Sequence, residues 1–326
     1  MVSQKRERLC VSRASRLVER PNSPGTWIEL AVWVTGCDDG GEQQNERFVL
    51  GRWAETTDTI HRTSVPGQST ALAEVDCDVL KAHRPAGLST WQIELSLCRA
   101  RGSTATPTVC LVGAVISRLA LHEDELPPNG EGVSTSGVNL GVPPLSQTTH
   151  RGTYPEFDGG GEAWCSPAST SMVLAFWQRG PNPADYAWLD PAYPDPEVAH
   201  AAAGSYDYAY QGCGNWSFNT AYAARFSVTA YVHRLQSLAE AELYIRAGIP
   251  LVVSVSFDEA ELTGAGYSTR GHLLVLCGFT EDGDVIVNDP ASHLVASNDE
   301  VRTVYQRAQF ERAWLPKSGT AYVVHP

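Results

Sequence analysis

The feature that most constrains this chain is a change of hydrophobic rhythm across residues 122–141. Before it, apolar and polar residues alternate in short runs at 27–34, 48–53, 70–76, 91–97 and 109–116. Turn-forming clusters such as Gly36-Cys37-Asp38-Asp39-Gly40-Gly41 and Arg101-Gly102-Ser103 punctuate them, and no long amphipathic helix intervenes. A period of two is what strands with one buried face produce, so the spacing predicts an all-β antiparallel sandwich over 21–121. After residue 141 the pattern predicts helices at 166–177, 215–226 and 239–246. It then predicts strands at 250–257, 272–279 and 284–288, a helix around 301–314 and a last strand at 320–325. The third helix opens on Ser237-Leu238-Ala239-Glu240, a capping box, and closes at Gly248. Helices followed by an antiparallel sheet predict an α+β domain over 142–326. Residues 122–141, rich in Pro and Gly and poor in apolar side chains, read as a linker. Residues 1–20, with Lys5, Arg6, Arg8, Arg13, Arg16 and Arg20 but no apolar core, read as a frayed basic arm rather than a secretory signal.

Composition fits two globular domains. The chain has 326 residues, 43% of them hydrophobic and 19% charged, enough for sizeable cores and unlike disordered or fibrous chains. Its longest apolar runs, such as 249–255, are too short to span a bilayer. The net charge of −13 is uneven: residues 1–130 carry 14 basic and 16 acidic side chains, residues 131–326 carry 10 and 21. An acidic second half argues against nucleic acid as a partner and suits a neutral or cationic peptide or protein substrate. The lack of a signal segment predicts a cytoplasmic protein, with export by another route left open. Eight cysteines, at positions 10, 37, 77, 98, 110, 165, 213 and 277, include no C-x-x-C pair, so no metal or other cofactor is expected and reduced thiols are the default. Cys98 and Cys110 are the one pair that a hairpin could bring into bridging range.

The chemistry concentrates at Gly159-Gly160-Gly161-Glu162-Ala163-Trp164-Cys165-Ser166-Pro167, where a glycine-rich loop becomes a helix. Unpaired N–H groups and the positive end of the helix dipole favour negative charge there, so Cys165 is a candidate thiolate nucleophile rather than merely a buried thiol. His272 follows Gly271 at the mouth of an apolar strand and is a candidate general base. Asp289 follows it by 17 positions, after a strand and a turn at Glu281-Asp282-Gly283, so antiparallel pairing brings the two together. Asp289 is the candidate orienting acid, with Asn288 a weaker one; a turn aspartate before Pro290 is the plainer reading. Cys213 also precedes a helix but lacks a matching histidine. The Tyr- and Gly-rich stretch 206–216 reads as a substrate-facing loop. Trp164, Gly214, Asn215 and Trp216 are candidate substrate contacts.

The segments "WCSPASTSMVL", "GHLLVLCGF" and "DGDVIVNDPAS" resemble the bacteriocin-processing type of cysteine peptidase, within the papain-like superfamily. The resemblance covers roughly the last 180 residues and implies a papain-like α+β fold and peptide-bond hydrolysis through an S-acyl intermediate. It also implies a glutamine donor to the oxyanion. Six positions before Cys165 stands Gly159, so the spacing common in the superfamily is not met; Gln147 fits if 150–162 is an insertion. The same residues would equally serve an acyl transferase, cyclase or amidase, and an inactive peptide- or glycan-binding protein is the reading from another class. The β-domain could recruit substrate, shield the cleft or mediate dimerisation, and together with the basic arm it could act as a removable block.

Overall fold

Strand-forming alternation in the first half resolves into two facing antiparallel sheets. The computed structural model of the chain describes residues 7–10, 13–14, 25–37, 40–83, 88–118 and 137–326. Its first ten strands are β1 (Glu7–Cys10), β2 (Arg13–Ala14), β3 (Thr26–Cys37), β4 (Gln43–Trp53), β5 (Thr63–Ser64), β6 (Ala73–Asp76), β7 (Val79–Ala82), β8 (Thr90–Arg99), β9 (Leu111–Val112) and β10 (Val115–Arg118). One sheet runs β5-β4-β3-β8 and the other β10-β1-β7-β6, with β2 and β9 paired separately. Leu30, Val32, Val34, Phe48 and Leu50 from the first meet Leu72, Ala73, Val75 and Leu80 from the second in a common core. Every second residue of β3 is thereby buried, as the period of two requires.

Several expectations need correction here. Glu7–Cys10 is not frayed: β1 lies between β7 and β10, with Leu9 opposite both Leu80 and Ile116. Basic residues hid a strand whose backbone completes the sheet. The run at 70–76 is a strand only from Ala73, and the 109–116 run divides into β9 and β10. Cys98 and Cys110 are not bridged to each other. The expected linker lies mostly outside the described residues; its last part, Val138–Asn139, is β11, paired with Phe279 and Gly278.

The second half is an antiparallel sheet with helices on both faces. Its elements are α1 (Cys165–Phe176), α2 (Pro196–Ser205), α3 (Trp216–Ala224), β12 (Thr229–Arg234), α4 (Leu238–Arg246), β13 (Leu251–Phe257), β14 (Thr269–Phe279), β15 (Val285–Asn288), β16 (Arg302–Tyr305), α5 (Arg307–Trp314) and β17 (Thr320–His325). The sheet order is β12-β17-β13-β14-β15-β16, with β11 on the side of β14. Helices α1, α2 and α3 cover one face, where Met172, Val173, Ala202 and Tyr222 pack on Val252, Leu273 and Val275. Helices α4 and α5 cover the other, where Ile245, Phe310 and Trp314 pack on Val253, Leu274 and Leu276. Alternate residues of β14 thus feed two cores, which is why it reads as an unbroken apolar run.

The α+β expectation holds, with three local differences. Helix α2, opened by Pro196 in its first turn, and strand β12 were not anticipated. The helix expected at 301–314 begins only at Arg307. Residues Arg302–Tyr305 form β16 instead, because β-branched Thr303 and Val304 and aromatic Tyr305 pair with the free edge of β15.

Candidate active site

Helix α1 is the centre of the site. All its residues from Cys165 to Leu174 are buried, so it is held from every side, and three hydroxyls fix its placement. Ser166 Oγ bonds Tyr322 Oη at 2.9 Å, Ser169 Oγ donates to Leu273 O at 3.0 Å, and Ser171 Oγ donates to Glu197 O at 3.2 Å. The second of these ties α1 to β14 one residue from His272. Cys165 is the first residue of the helix, and no side chain caps it. The sulfur therefore faces unpaired helix N–H groups, a position that favours a thiolate.

The loop before α1 makes this placement possible. Gly159, Gly160 and Gly161 all have positive φ, and a Cβ on Gly160 would lie 2.0 Å from the His150 carbonyl oxygen. Gly152 N donates to Gly159 O at 2.8 Å, so the residues between them form an excursion closed at its base. The backbone of His150 and Arg151 is in this way pressed against the approach to Cys165.

Burial pushes the Cys165 thiol up, but a hydrogen bond and charge interaction with His272, with backbone hydrogen bonds from Leu273 and Ser166, outweigh it and lower its pKa. His272 is 4% exposed. Burial opposes its charge, yet the Asp289 carboxylate and the Cys165 contact raise its pKa to about 10. His272 Nε2 meets Asp289 Oδ1 at 2.8 Å. The other ring nitrogen is thereby left for Cys165. Asp289 lies just beyond the last pair of the β14–β15 ladder, where Val275 is opposite Asn288. Continuing that register sets it diagonally across from His272.

Asp289 is fully buried, and burial raises its carboxyl; His272 first, then the Tyr305 and Tyr267 hydroxyls, more than compensate and lower its pKa. Both tyrosine hydroxyls donate to Asp289 Oδ2 at 2.7 Å, and Ala291 N donates to Oδ1 at 3.0 Å. The last bond is the Asp-Pro turn itself, so turn-forming and histidine-binding uses of Asp289 coexist. The Tyr267 ring also stands edge-on to His272, with centroids 5.5 Å apart. Neither tyrosine was anticipated: Tyr305 lay in a run read as helix, and Tyr267 in a glycine-flanked loop with no pattern.

Three other thiols behave differently. Burial pushes Cys77, Cys213 and Cys277 up, the last to about 12. Cys213, the rival thiol, is 1% exposed and lies within hydrogen-bonding range of Phe157 O and Ala202 O. His150 bonds Tyr193 Oη at 2.8 Å, and burial lowers its pKa to about 4. Among the described residues no cluster of His, Cys, Asp and Glu could hold a metal, and no helix is long and apolar enough to cross a membrane.

Cys165 opens onto a cleft of about 550 Å³. Its walls are the start of α1, residues 212–216 leading into α3, residues 254–256 of β13, the start of β14 and, from the first half of the chain, the turn between β6 and β7. Gly214, Asn215 and Trp216 line it together with Cys165. Asn215 is also the cap of α3, accepting from Phe218 N at 3.0 Å. Trp164 is placed elsewhere: it has no exposed surface, and its indole N–H donates to Phe157 O at 2.6 Å beneath the loop. Gln147 is 3% exposed, its backbone N–H donates to Pro290 O at 2.9 Å, and its carboxamide oxygen has no partner. It is not among the residues lining the cleft.

The chain is similar to known proteins over both halves. Residues 139–322 match the model of the Peptidase C39-like family, and residues 21–117 match that of the Peptidase C39 N-terminal domain. The solved structure of a C39-like peptidase candidate from Bacillus anthracis aligns at 21% identity with a TM-score of 0.37, covering 58% of this chain and 97% of that one. No curated protein matches the chain. With more than half of its length matched to one family of the cysteine-peptidase type, the chain belongs to the Peptidase C39-like family.

Proposed function

We propose that this chain is an active thiol hydrolase that cleaves peptide bonds, with Cys165 as nucleophile, His272 as general acid and base, and Asp289 as the residue that orients and charges the imidazole. The observation that carries this reading is the buried His272–Asp289 pair, Nε2 to Oδ1 at 2.8 Å, whose imidazole lowers the pKa of the Cys165 thiol at an open cleft. A lowered thiol pKa beside a raised imidazole pKa favours a thiolate–imidazolium pair at neutral pH.

In this mechanism the Cys165 thiolate attacks the carbonyl carbon of the scissile amide. His272 then gives its proton to the departing amine, leaving an S-acyl enzyme and a neutral imidazole. Water, deprotonated by His272, attacks the thioester; the acid leaves, and the proton restores the ion pair. The backbone N–H of Cys165 is the first donor to the oxyanion. Gln147 is the second in this proposal. It is supported by the bond of its backbone N–H to the carbonyl of Pro290, the residue after Asp289, at 2.9 Å. The closed excursion between Gly152 and Gly159 accounts for the long spacing.

The test is carbamidomethylation of each cysteine against pH by mass spectrometry, in the wild type and in His272→Ala, with turnover of a peptide library read in parallel. Cys165 is expected to react fast well below the ordinary thiol value of about 8.5 and to lose that advantage in His272→Ala. Library cleavage is expected to vanish in Cys165→Ala. A Cys165 that reacts like an ordinary thiol would remove the proposal's central residue.

A further inference from the structure

We propose that the turn between β6 and β7 is a substrate-contacting wall of the cleft, and that the Asp76–Lys81 pair on it determines which charge the cleft accepts in a bound peptide. This rests on the cysteine-peptidase reading and adds to it a specificity element from the other half of the chain.

Asp76 pairs with Val79, so Cys77 and Asp78 alone make the turn. Cys77 has φ +54°, a left-handed conformation in which glycine is the usual residue and a side chain costs about 1 kcal/mol. The strain is held by ties to the wall of the cleft. Asp78, 7% exposed, accepts from Ser217 N in the first turn of α3 at 3.2 Å. Asn215 Nδ2 donates to Cys77 Sγ at 3.6 Å and to Asp207 Oδ2 at 2.9 Å. Fully buried Asp207 in turn accepts from Ser64 N at 3.0 Å. The turn is therefore fixed to the segment 207–217 that carries Gly214, Asn215 and Trp216, and moves with it.

Asp78 and Cys77 are occupied by these ties; Asp76 and Lys81 are not. Their side chains are 65% and 27% exposed, they pair with each other across the hairpin, and both line the cleft that holds Cys165. Paired, they nearly cancel. Removing one leaves the other to attract or repel a charged peptide side chain.

The experiment compares inactivation of Cys165 by two peptidyl haloketones that are identical except for a Lys or a Glu side chain. It uses the full chain as wild type, Lys81→Ala and Asp76→Ala. Asp76 is exposed and Lys81 half-buried, and iodoacetamide reactivity of Cys165 serves as the control for an intact thiolate. Lys81→Ala is expected to raise the Lys/Glu rate ratio and Asp76→Ala to lower it, each about fivefold, with iodoacetamide rates unchanged. Equal ratios in all three proteins overturn the inference, as do haloketones that fail to reach a Cys165 that iodoacetamide modifies; in both cases the peptidase reading survives. A wild-type Cys165 no faster than an ordinary thiol overturns the peptidase reading itself.

Discussion

Asp289 has no exposure to water, yet His272, Ala291, Tyr267 and Tyr305 all donate to its two oxygens. Its negative charge is what keeps the buried His272 protonated, since burial alone would push that imidazole down. Replacing the charge and replacing one of its supports should therefore have different consequences. In Asp289→Asn the imidazole loses its reason to be charged, the thiolate loses its cation, and the acid limb of Cys165 alkylation is expected to move up by about one pH unit or more. In Tyr305→Phe the charge remains and the limbs stay near their wild-type positions, but a carboxylate loses a donor at a cost of about 1.5–3 kcal/mol in urea unfolding. A lowered carboxyl pKa contributes stability above about pH 4 that is lost as pH falls through its folded value, so the Tyr305→Phe deficit should be full at pH 7 and shrink in acid. If both variants shift the alkylation profile alike, Asp289 acts by shape rather than charge.

The loop and helix that carry Cys165 depend on two glycines for different reasons. Gly159 has φ +71° and nothing within 4 Å of its missing Cβ, whereas Gly160 has φ +64° and would drive a Cβ into the His150 carbonyl. Gly159→Ala should cost about 1–2 kcal/mol for its backbone alone. Gly160→Ala should cost about 1–3 kcal/mol more, because two backbone segments must separate. Urea midpoints measure the difference, and equal costs would mean that the contact with His150 is not tight. The helix N-terminus at Cys165 was legible because its signals are local: glycines, a proline just inside the helix, and an apolar run. The same holds for α4, where Ser237 accepts from Glu240 N at 3.2 Å and Gly248 closes the helix at φ +78°. Strand β16 was not legible, since Arg302–Tyr305 is decided by the vacant edge of β15. Tyr267 and Tyr305 escaped for that reason too. What selects them is a buried carboxylate that only the fold brings near.

At the scale of the whole molecule, the two halves share more than a chain. Ile28 of β3 and Trp53 of β4 are buried in one cluster with Phe218 and Ala221 of α3. Buried Arg62 donates to Ala54 O at 2.9 Å, to Glu55 O at 3.0 Å and, across the boundary, to Ala203 O. Glu55 pairs with Arg225 at 2.9 Å, and Asp207 binds Ser64 N. An apolar cluster combined with buried polar groups whose bonds cross the boundary leaves neither half complete alone. The full chain is accordingly expected to unfold in a single calorimetric transition, and Phe218→Ala, which removes a ring from the shared cluster at a cost of about 3–5 kcal/mol, to move that whole transition to lower temperature. Two resolved transitions, with only the lower one moved, would mean that the halves fold independently. The expected result bears on function directly. A first domain that caps α3 through Asp78 and shares its core cannot be shed without opening the cleft wall. A removable block is therefore the role that this interface suits least, and a permanent part of the substrate site is the one it suits best.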